Sequence, residues 1–292
     1  MFLVLLLCSL LMSVAASLQC PKRILVTGAN KGIGKAICQK ILSDQQDTYV
    51  FLGSRDKARG EEAVKSIVAE MGQGVVGRLE CVPLDVSSDS SVKSAAEIIS
   101  EKCGSQDVPL YGIVNNAGVG FGRSTKDTLN TNFYGPMRVC TAFLPLLRKG
   151  SRIVMISSAS GPNFVSKRDP ETARFFTSFA TTVEQLEEKL TEIGDTLSQE
   201  AYGLSKASLN VFTMQLAKAR PELVINACTP GFIDTDLTKG MGANNPPEKG
   251  TIAPLHLLFG DLQGNGWYYG SDAVRSPIDR YRAPGDPPYT GN

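Results

Sequence analysis

The stretch RILVTGANKGIGKAI, residues 23–37, decides how the rest of the chain is read. Ile24, Leu25 and Val26 form a short apolar run of the kind that fills a strand buried on both faces, and beyond Gly34 the pattern turns helical. Gly28, Gly32 and Gly34 stand at the junction, with Asn30, Lys31 and Ile33 among them. A glycine directly after the strand allows a tight turn that a Cβ would obstruct. The two later glycines let the loop and the first helical turn come close to a diphosphate and to the sheet. Amides at the helix N-terminus would then face the anion. The spacing is GxxxGxG rather than GxGxxG, which on its own fits a plain glycine-rich turn equally well.

Outward from this junction, apolar runs alternate with longer amphipathic ones. Residues 23–27, 48–54, 77–85, 110–116, 152–157 and 222–228 read as buried strands, and 32–43, 57–71, 89–102, 127–147 and 201–219 as helices. Such alternation predicts an α/β fold: a doubly wound, Rossmann-type parallel sheet of about seven strands with helices on both faces. One domain covers residues 23–275. Ligands of such sheets bind at the carboxyl ends of the strands, so the residues immediately after each strand carry the functional reading.

Composition narrows the partners. The 292 residues are 42% apolar and 20% charged, with a formal net charge of +1 and no basic cluster. This argues against nucleic acid or a polybasic membrane patch and for a small-molecule substrate. A single histidine, His256, and seven cysteines without a CxxC pair argue against a histidine triad and leave no metal site. Cys38, Cys140 and Cys228 fall in apolar elements, where buried thiols rather than disulfides are expected. Residues 1–17 read as a secretory leader: they are uncharged, Ser9, Ser13 and Ser17 are their only polar side chains, and small residues gather near Ala16. The expectation is the secretory pathway or ER lumen, or the cytoplasm where the leader does not function. The alternative is an uncleaved anchor, the one case in which a membrane becomes a stable partner.

Each strand end carries a distinctive group. Ser54 and Arg55 end the second strand, where an acidic residue would bind the adenosine ribose of NAD. A guanidinium there, with Lys31 approaching from the glycine turn, suits the 2′-phosphate of NADP(H) instead. Asp56 competes, by pairing with Arg55 or by taking a ribose contact. Asp85 and Val86 after the third strand are placed to flank an adenine, while Asn115, Ala117 and Gly118 after the fourth can bridge neighbouring loops and leave room for the cofactor. Downstream, Tyr202 and Lys206 share one helical face. The ammonium is expected to lower the phenol from its ordinary pKa of about 10, fitting Tyr202 to move protons near neutrality.

The motifs TGANKGIG, NNAG, a serine after the fifth strand, YGLSK and TPGFIDTD follow in one order, and over residues 23–270 the chain resembles the short-chain dehydrogenase/reductase family. The resemblance implies that Tyr202 is the general acid and base, that Lys206 holds the nicotinamide ribose, and that Ser158 hydrogen-bonds the substrate carbonyl. Ser157 is the rival for that last position. Asn132 in LNTNFYG matches the asparagine of the family's fourth helix, which holds a water beside the lysine in a proton relay. Pro230 and Gly231 would shape a cofactor loop, Ile233 would meet the nicotinamide carboxamide through its backbone, and Thr235 would reach the carboxamide or a phosphate. The implied activity is NADPH-dependent reduction of a ketone or aldehyde. The alternatives are a non-catalytic NADP-binding regulator or scaffold and an NAD-dependent alcohol dehydrogenase.

The separation of Ser158 from Tyr202 exceeds what most of the family shows, so residues 162–200 read as a helical insert with Val183, Leu186, Leu190 and Ile193 on one face. Such an insert resembles that of monomeric carbonyl reductases, and a monomer is expected. Phe175, Phe176 and Phe179, with Phe232 and Met241, are candidates for an apolar substrate pocket, core packing being the alternative for each. Residues 276–292, rich in Pro and Gly, read as a loose tail.

Overall fold

Ile24, Leu25 and Val26 have no exposed surface, as a strand covered by helices on both faces requires. They lie in β1 (Lys22–Val26), from which the sheet grows in two directions. On one side stand β2 (Thr48–Ser54) and β3 (Leu79–Pro83); on the other stand β4 (Leu110–Asn115), β5 (Leu147–Ile156), β6 (Val224–Cys228), β7 (Tyr268–Tyr269) and β8 (Arg275–Ser276). The order is 3-2-1-4-5-6-7-8, parallel throughout except for the antiparallel β7–β8 pair. The reversal between β1 and β4 opens a crevice at their carboxyl ends. This computed structural model describes residues 21–104, 110–194 and 196–291; the leader read at 1–17 lies outside them.

Period-two alternation feeds two helical layers. Ile24, Val26, Val50, Leu52 and Val114 pack with Ile37 and Ile41 of α1 (Gly32–Asp44), Ile67 of α2 (Lys57–Met71) and Leu257 of α10 (Ile252–Phe259). Leu25, Phe51 and Ile113 turn the other way, onto Ile99 of α3 (Asp89–Cys103) and Phe143 of α5 (Tyr134–Phe143). Ile153, Met155 and Ile225 meet Leu204 and Val211 of α9 (Ala201–Ala219). Between α3 and α5 lies α4 (Thr125–Asn132), so the helix read at 127–147 is broken at Phe133 and ends before β5 begins at Leu147.

The insert folds as α6 (Ser160–Val165), α7 (Pro170–Thr177) and α8 (Val183–Ile193). Leu186 and Leu190 are buried and Val183 and Ile193 pack beside them, in the same core as α9. Side-chain oxygens of Asp56, Ser88, Ser124 and Asp169 cap α2, α3, α4 and α7, and Thr182 with Gln185 forms a capping box at α8. The start of α1 differs: Lys31 gives no side-chain cap and the first turn holds no acidic residue. Among the described residues no helix is long and apolar enough to cross a membrane.

The carboxyl-terminal segment departs from the expected loose tail. Arg282 is buried; its Nε donates to Ser276 Oγ at 2.8 Å, Nη1 donates to the carbonyls of Ala283 and Asp286, and Nη2 pairs with Asp272. Arg275 stacks on Trp267 at 3.7 Å from the ring centroid and donates to the Gly291 carbonyl. Two guanidinium groups therefore hold a segment whose Pro and Gly content rules out a helix but not a fixed path.

Candidate active site

The glycine turn is shaped by near contacts that no side chain would tolerate. Gly28 has φ of +63°, and a Cβ there would lie 2.8 Å from Ala117 Cα. A Cβ on Gly34 would lie 2.5 Å from Asn116 Nδ2 and 2.7 Å from the Gly28 carbonyl. The turn is fastened to the loop after β4: Thr27 Oγ1 accepts from the amides of Asn116 and Ala117, each at 3.0 Å, and Asn116 Nδ2 donates to the carbonyls of Thr27 and Gly28 at 2.9 and 3.2 Å. The uncapped amides of α1 open into a cleft of about 780 Å³ above this turn.

Gly28, Asn30, Lys31, Gly32, Ile33 and Gly34 line one part of the cleft, and Asp85, Val86, Ala117 and Gly118 line the next. Pro230, Gly231, Ile233 and Thr235 close it from the loop after β6. Arg55 stands on its wall. Asp56 pairs not with Arg55 but with Arg59, accepting from its backbone amide at 3.0 Å and from its Nε at 2.9 Å, and these bonds from Arg59 hold its carboxyl below the usual carboxylate range. Lys31 crosses the cleft to Asp236 at 2.5 Å. Arg59, in the first turn of α2, also lines the wall and was not singled out by the sequence.

Tyr202, Lys206, Ser157 and Ser158 meet in the same cleft. Ser158 stands beside Tyr202, near enough for its hydroxyl to act on the phenol. Ser157, the rival, is buried and donates instead to the Lys206 carbonyl at 3.3 Å. Burial raises the Tyr202 phenol above its ordinary value, with the Ser158 hydroxyl pulling the other way. The expected depression by Lys206 is therefore corrected. Its Nζ lies 5.7 Å from the Tyr202 ring centroid and donates to the Ile156 carbonyl at 2.8 Å, and burial brings the ammonium itself down to about 8.

Asn132 ends α4, fully buried. Its Oδ1 accepts from the Val119 amide at 2.8 Å, while Nδ2 donates to the Val119 carbonyl and to Ser205 Oγ. Both amide hydrogens are thus engaged, and only acceptor positions of Asn132 are left for a water. A Cβ on Gly118 would stand 3.2 Å from Asn132 Oδ1 and 3.8 Å from Lys206 Nζ, so this glycine keeps the two side chains close.

Two expected cofactor positions, Ser54 and Asn115, and three of the aromatic candidates fall elsewhere. Ser54 has no exposed surface and donates to the Asp56 carbonyl at 2.7 Å, beneath α2 and away from the cleft. Asn115 points into the core, its Nδ2 facing Cys140 Sγ and Met155 Sδ, and Asn116 takes the cleft position. Of the aromatic candidates, Phe176 is core, Phe175 packs against it, and Phe179 is exposed outside the cleft. Phe232 and Met241 do line the cleft, joined by Phe121, whose ring centroid is 4.6 Å from that of Tyr202. Nothing in the run GVGFG marks Phe121 beforehand, whereas Asn116 was signalled by the asparagine pair itself.

Known proteins resemble this chain in sequence and fold. The family model for short chain dehydrogenases matches residues 22–168. A (+)-neomenthol dehydrogenase of Arabidopsis thaliana is 32% identical over 283 residues, spanning 82% of this chain and 92% of its own length. Carbonyl reductase (NADPH) 1 of Rattus norvegicus is 32% identical over 263 residues, spanning 80% of this chain and 90% of its own. Among solved structures, the menthone neomenthol reductase of Mentha piperita superposes with a TM-score of 0.69 at 26% identity, covering 87% of this chain and 99% of its own.

Proposed function

The chain belongs to the short-chain dehydrogenase/reductase family, and from that premise we propose that it reduces a ketone or aldehyde to the alcohol with NADPH, Tyr202 donating the proton. The observation that carries this reading is the meeting of Ser158, Tyr202 and Lys206 in the cleft that the glycine turn also lines. A dinucleotide fits that wall. Gly28 and Gly34 stand where a Cβ would collide, α1 presents amides that no side chain caps, and Arg55 supplies a cation for a 2′-phosphate, with Arg59 and Lys31, ion-paired to Asp56 and Asp236, close by on the same wall. The name of the rat relative specifies the same cofactor.

When bound, the cofactor supplies the hydride. The chain's own residues manage the oxygen and its proton. Ser158 and Tyr202 hydrogen-bond the carbonyl oxygen, polarising it and stabilising the charge that develops there. A phenol raised by burial keeps its proton at neutral pH, which is the form a donor needs. The Lys206 ammonium, held by the Ile156 carbonyl, then stabilises the phenolate that Tyr202 becomes. Asn132 acts as a positioning residue, pinning Val119 and Ser205 around the lysine. In this reading the enzyme is a monomer, because α7 and α8 share the core of α9 and cover it.

Consumption of NADPH and NADH against a carbonyl panel tests the proposal. NADPH should support turnover, and Tyr202→Phe should lower kcat at least about 100-fold while NADPH still binds. Turnover with NADH alone would refute the cofactor assignment, full activity of the variant would refute the proton donor, and binding without turnover would identify a scaffold.

A further inference from the structure

Beyond Ser158 the cleft opens into a second chamber of about 270 Å³, walled by the insert and by the carboxyl-terminal segment. Ser158, Ser160, Gly231 and Phe232 line both spaces, so a carbonyl held by Ser158 stands at the opening between them. The two spaces differ in chemistry. On the cleft side the lining includes the exposed apolar groups Phe121, Phe232 and Met241, with Phe121 against the Tyr202 ring. On the chamber side the walls carry Asn163 from α6, Ser271 from the β7–β8 turn, and Tyr281 with Arg282 from the terminal segment.

Arg282 is the one charged residue of the chamber lining, and Asp272 neutralises it within a set of bonds that occupies Nε, Nη1 and Nη2. By contrast, among the described residues no hydrogen bond engages the side-chain carboxamide of Asn163, which is exposed at the chamber's rim, or the Ser271 hydroxyl. A polar wall without net charge, carrying uncommitted donors and acceptors, matches a neutral hydrogen-bonding group better than a carboxylate or an ammonium.

We infer that this chamber is a substrate subsite, and that the preferred substrate is a ketone or aldehyde bearing a neutral hydroxyl or carbonyl substituent, which Asn163 and Ser271 bind while the apolar remainder lies against Phe121 and Phe232. The inference rests on the proposed carbonyl reduction and deepens it. The terminal segment then sets specificity, through walls that the Arg282 and Arg275 anchors hold in place.

A matched ketone series ending in methyl, hydroxymethyl or carboxylate tests it, with NADPH supplied throughout. In the wild type, kcat/KM for the hydroxymethyl ketone should exceed that for the methyl ketone by about fivefold to tenfold, the worth of one or two neutral hydrogen bonds. In Asn163→Leu and Ser271→Val this ratio should fall toward unity. A ratio unchanged in both variants, or a methyl ketone preferred by the wild type, overturns the subsite. Preference for the carboxylate overturns the neutral class. Turnover of the methyl ketone alone leaves carbonyl reduction standing and removes the subsite, whereas no turnover of any member sinks the reduction and the inference together.

Discussion

Replacing Lys206 by methionine should remove a pH dependence of stability that only a buried ammonium creates. Lys206 is 4% exposed, and burial lowers it from 10.5 to about 8, with Cys228 pulling upward. In the unfolded chain the side chain regains its ordinary pKa, so between these values the unfolded state binds more protons. The sign follows: the lysine's contribution to stability rises as pH rises through this window and is lost as pH falls through the folded value. The gap corresponds to about 3 kcal/mol of destabilisation below pH ~8. Lys206→Met removes that cost but strips the Ile156 carbonyl of its donor, at about 1 to 3 kcal/mol. The two nearly offset each other near neutrality, so the absolute stability of the variant says little. The pH dependence is decisive, because the unpaired carbonyl does not titrate. From about pH 7 to about pH 10, the stability of the variant relative to wild type should fall by about 2 kcal/mol. Urea unfolding without added cofactor, at a series of pH values, reads this directly. Buried thiols complicate the absolute curves, since Cys38, Cys140 and Cys228 are all raised by burial and destabilise the fold at high pH. Cys38 and Cys140 cancel in the comparison; Cys228 is coupled to Lys206, and making both proteins in a Cys228→Ser background removes it. Parallel stability curves for wild type and variant would refute the desolvated lysine.

Two other substitutions probe the cofactor wall and the terminal anchor. Arg55→Ala should raise KM for NADPH about tenfold and leave NADH unchanged, as loss of a charge-assisted phosphate contact requires; equal effects on both cofactors in steady-state kinetics would remove Arg55 from the 2′-phosphate. Arg282→Ala should lower unfolding stability by about 3 kcal/mol, because it leaves Asp272 half-buried without its partner; an unchanged urea midpoint would contradict the anchoring role.

Much of the fold was legible because buried parallel strands and amphipathic helices write strong periodicities. The six apolar runs all became strands, and Leu186 with Leu190 marked the buried face of α8. What escaped was local and short. β7 and β8 have two residues each, too few for any period to register, and depend on pairing with β6 and with one another. The terminal segment was misjudged because composition speaks for the absence of regular structure, whereas its order comes from Arg275 and Arg282 reaching residues that precede them. The pKa of Tyr202 was misjudged because helical spacing reports which side chains share a face but not how far water is excluded.

The misplaced cofactor positions share one cause. At the end of β2, Ser54 is sealed and Arg55 faces the cleft; at the end of β4, Asn115 is sealed and Asn116 faces it. After β5, Ser157 is buried against the Lys206 carbonyl while Ser158 turns to Tyr202. In each pair the inner residue still belongs to the sheet. The Ser54 carbonyl accepts from Leu84, Asn115 pairs with Met155, and the Ser157 amide donates to the Cys228 carbonyl. A parallel sheet covered by helices on both faces leaves little open side for a polar residue within the ladder, so the side chain that turns to the cleft is the one just beyond its end. A polar residue inside that limit must find an internal partner, as Ser54 and Ser157 do, or go unsatisfied, as Asn115 Oδ1 does among the described residues. Counting one residue beyond the last ladder bond therefore separates the structural member of each pair from the one that faces the ligand, a distinction that side-chain chemistry alone could not make between two asparagines or two serines.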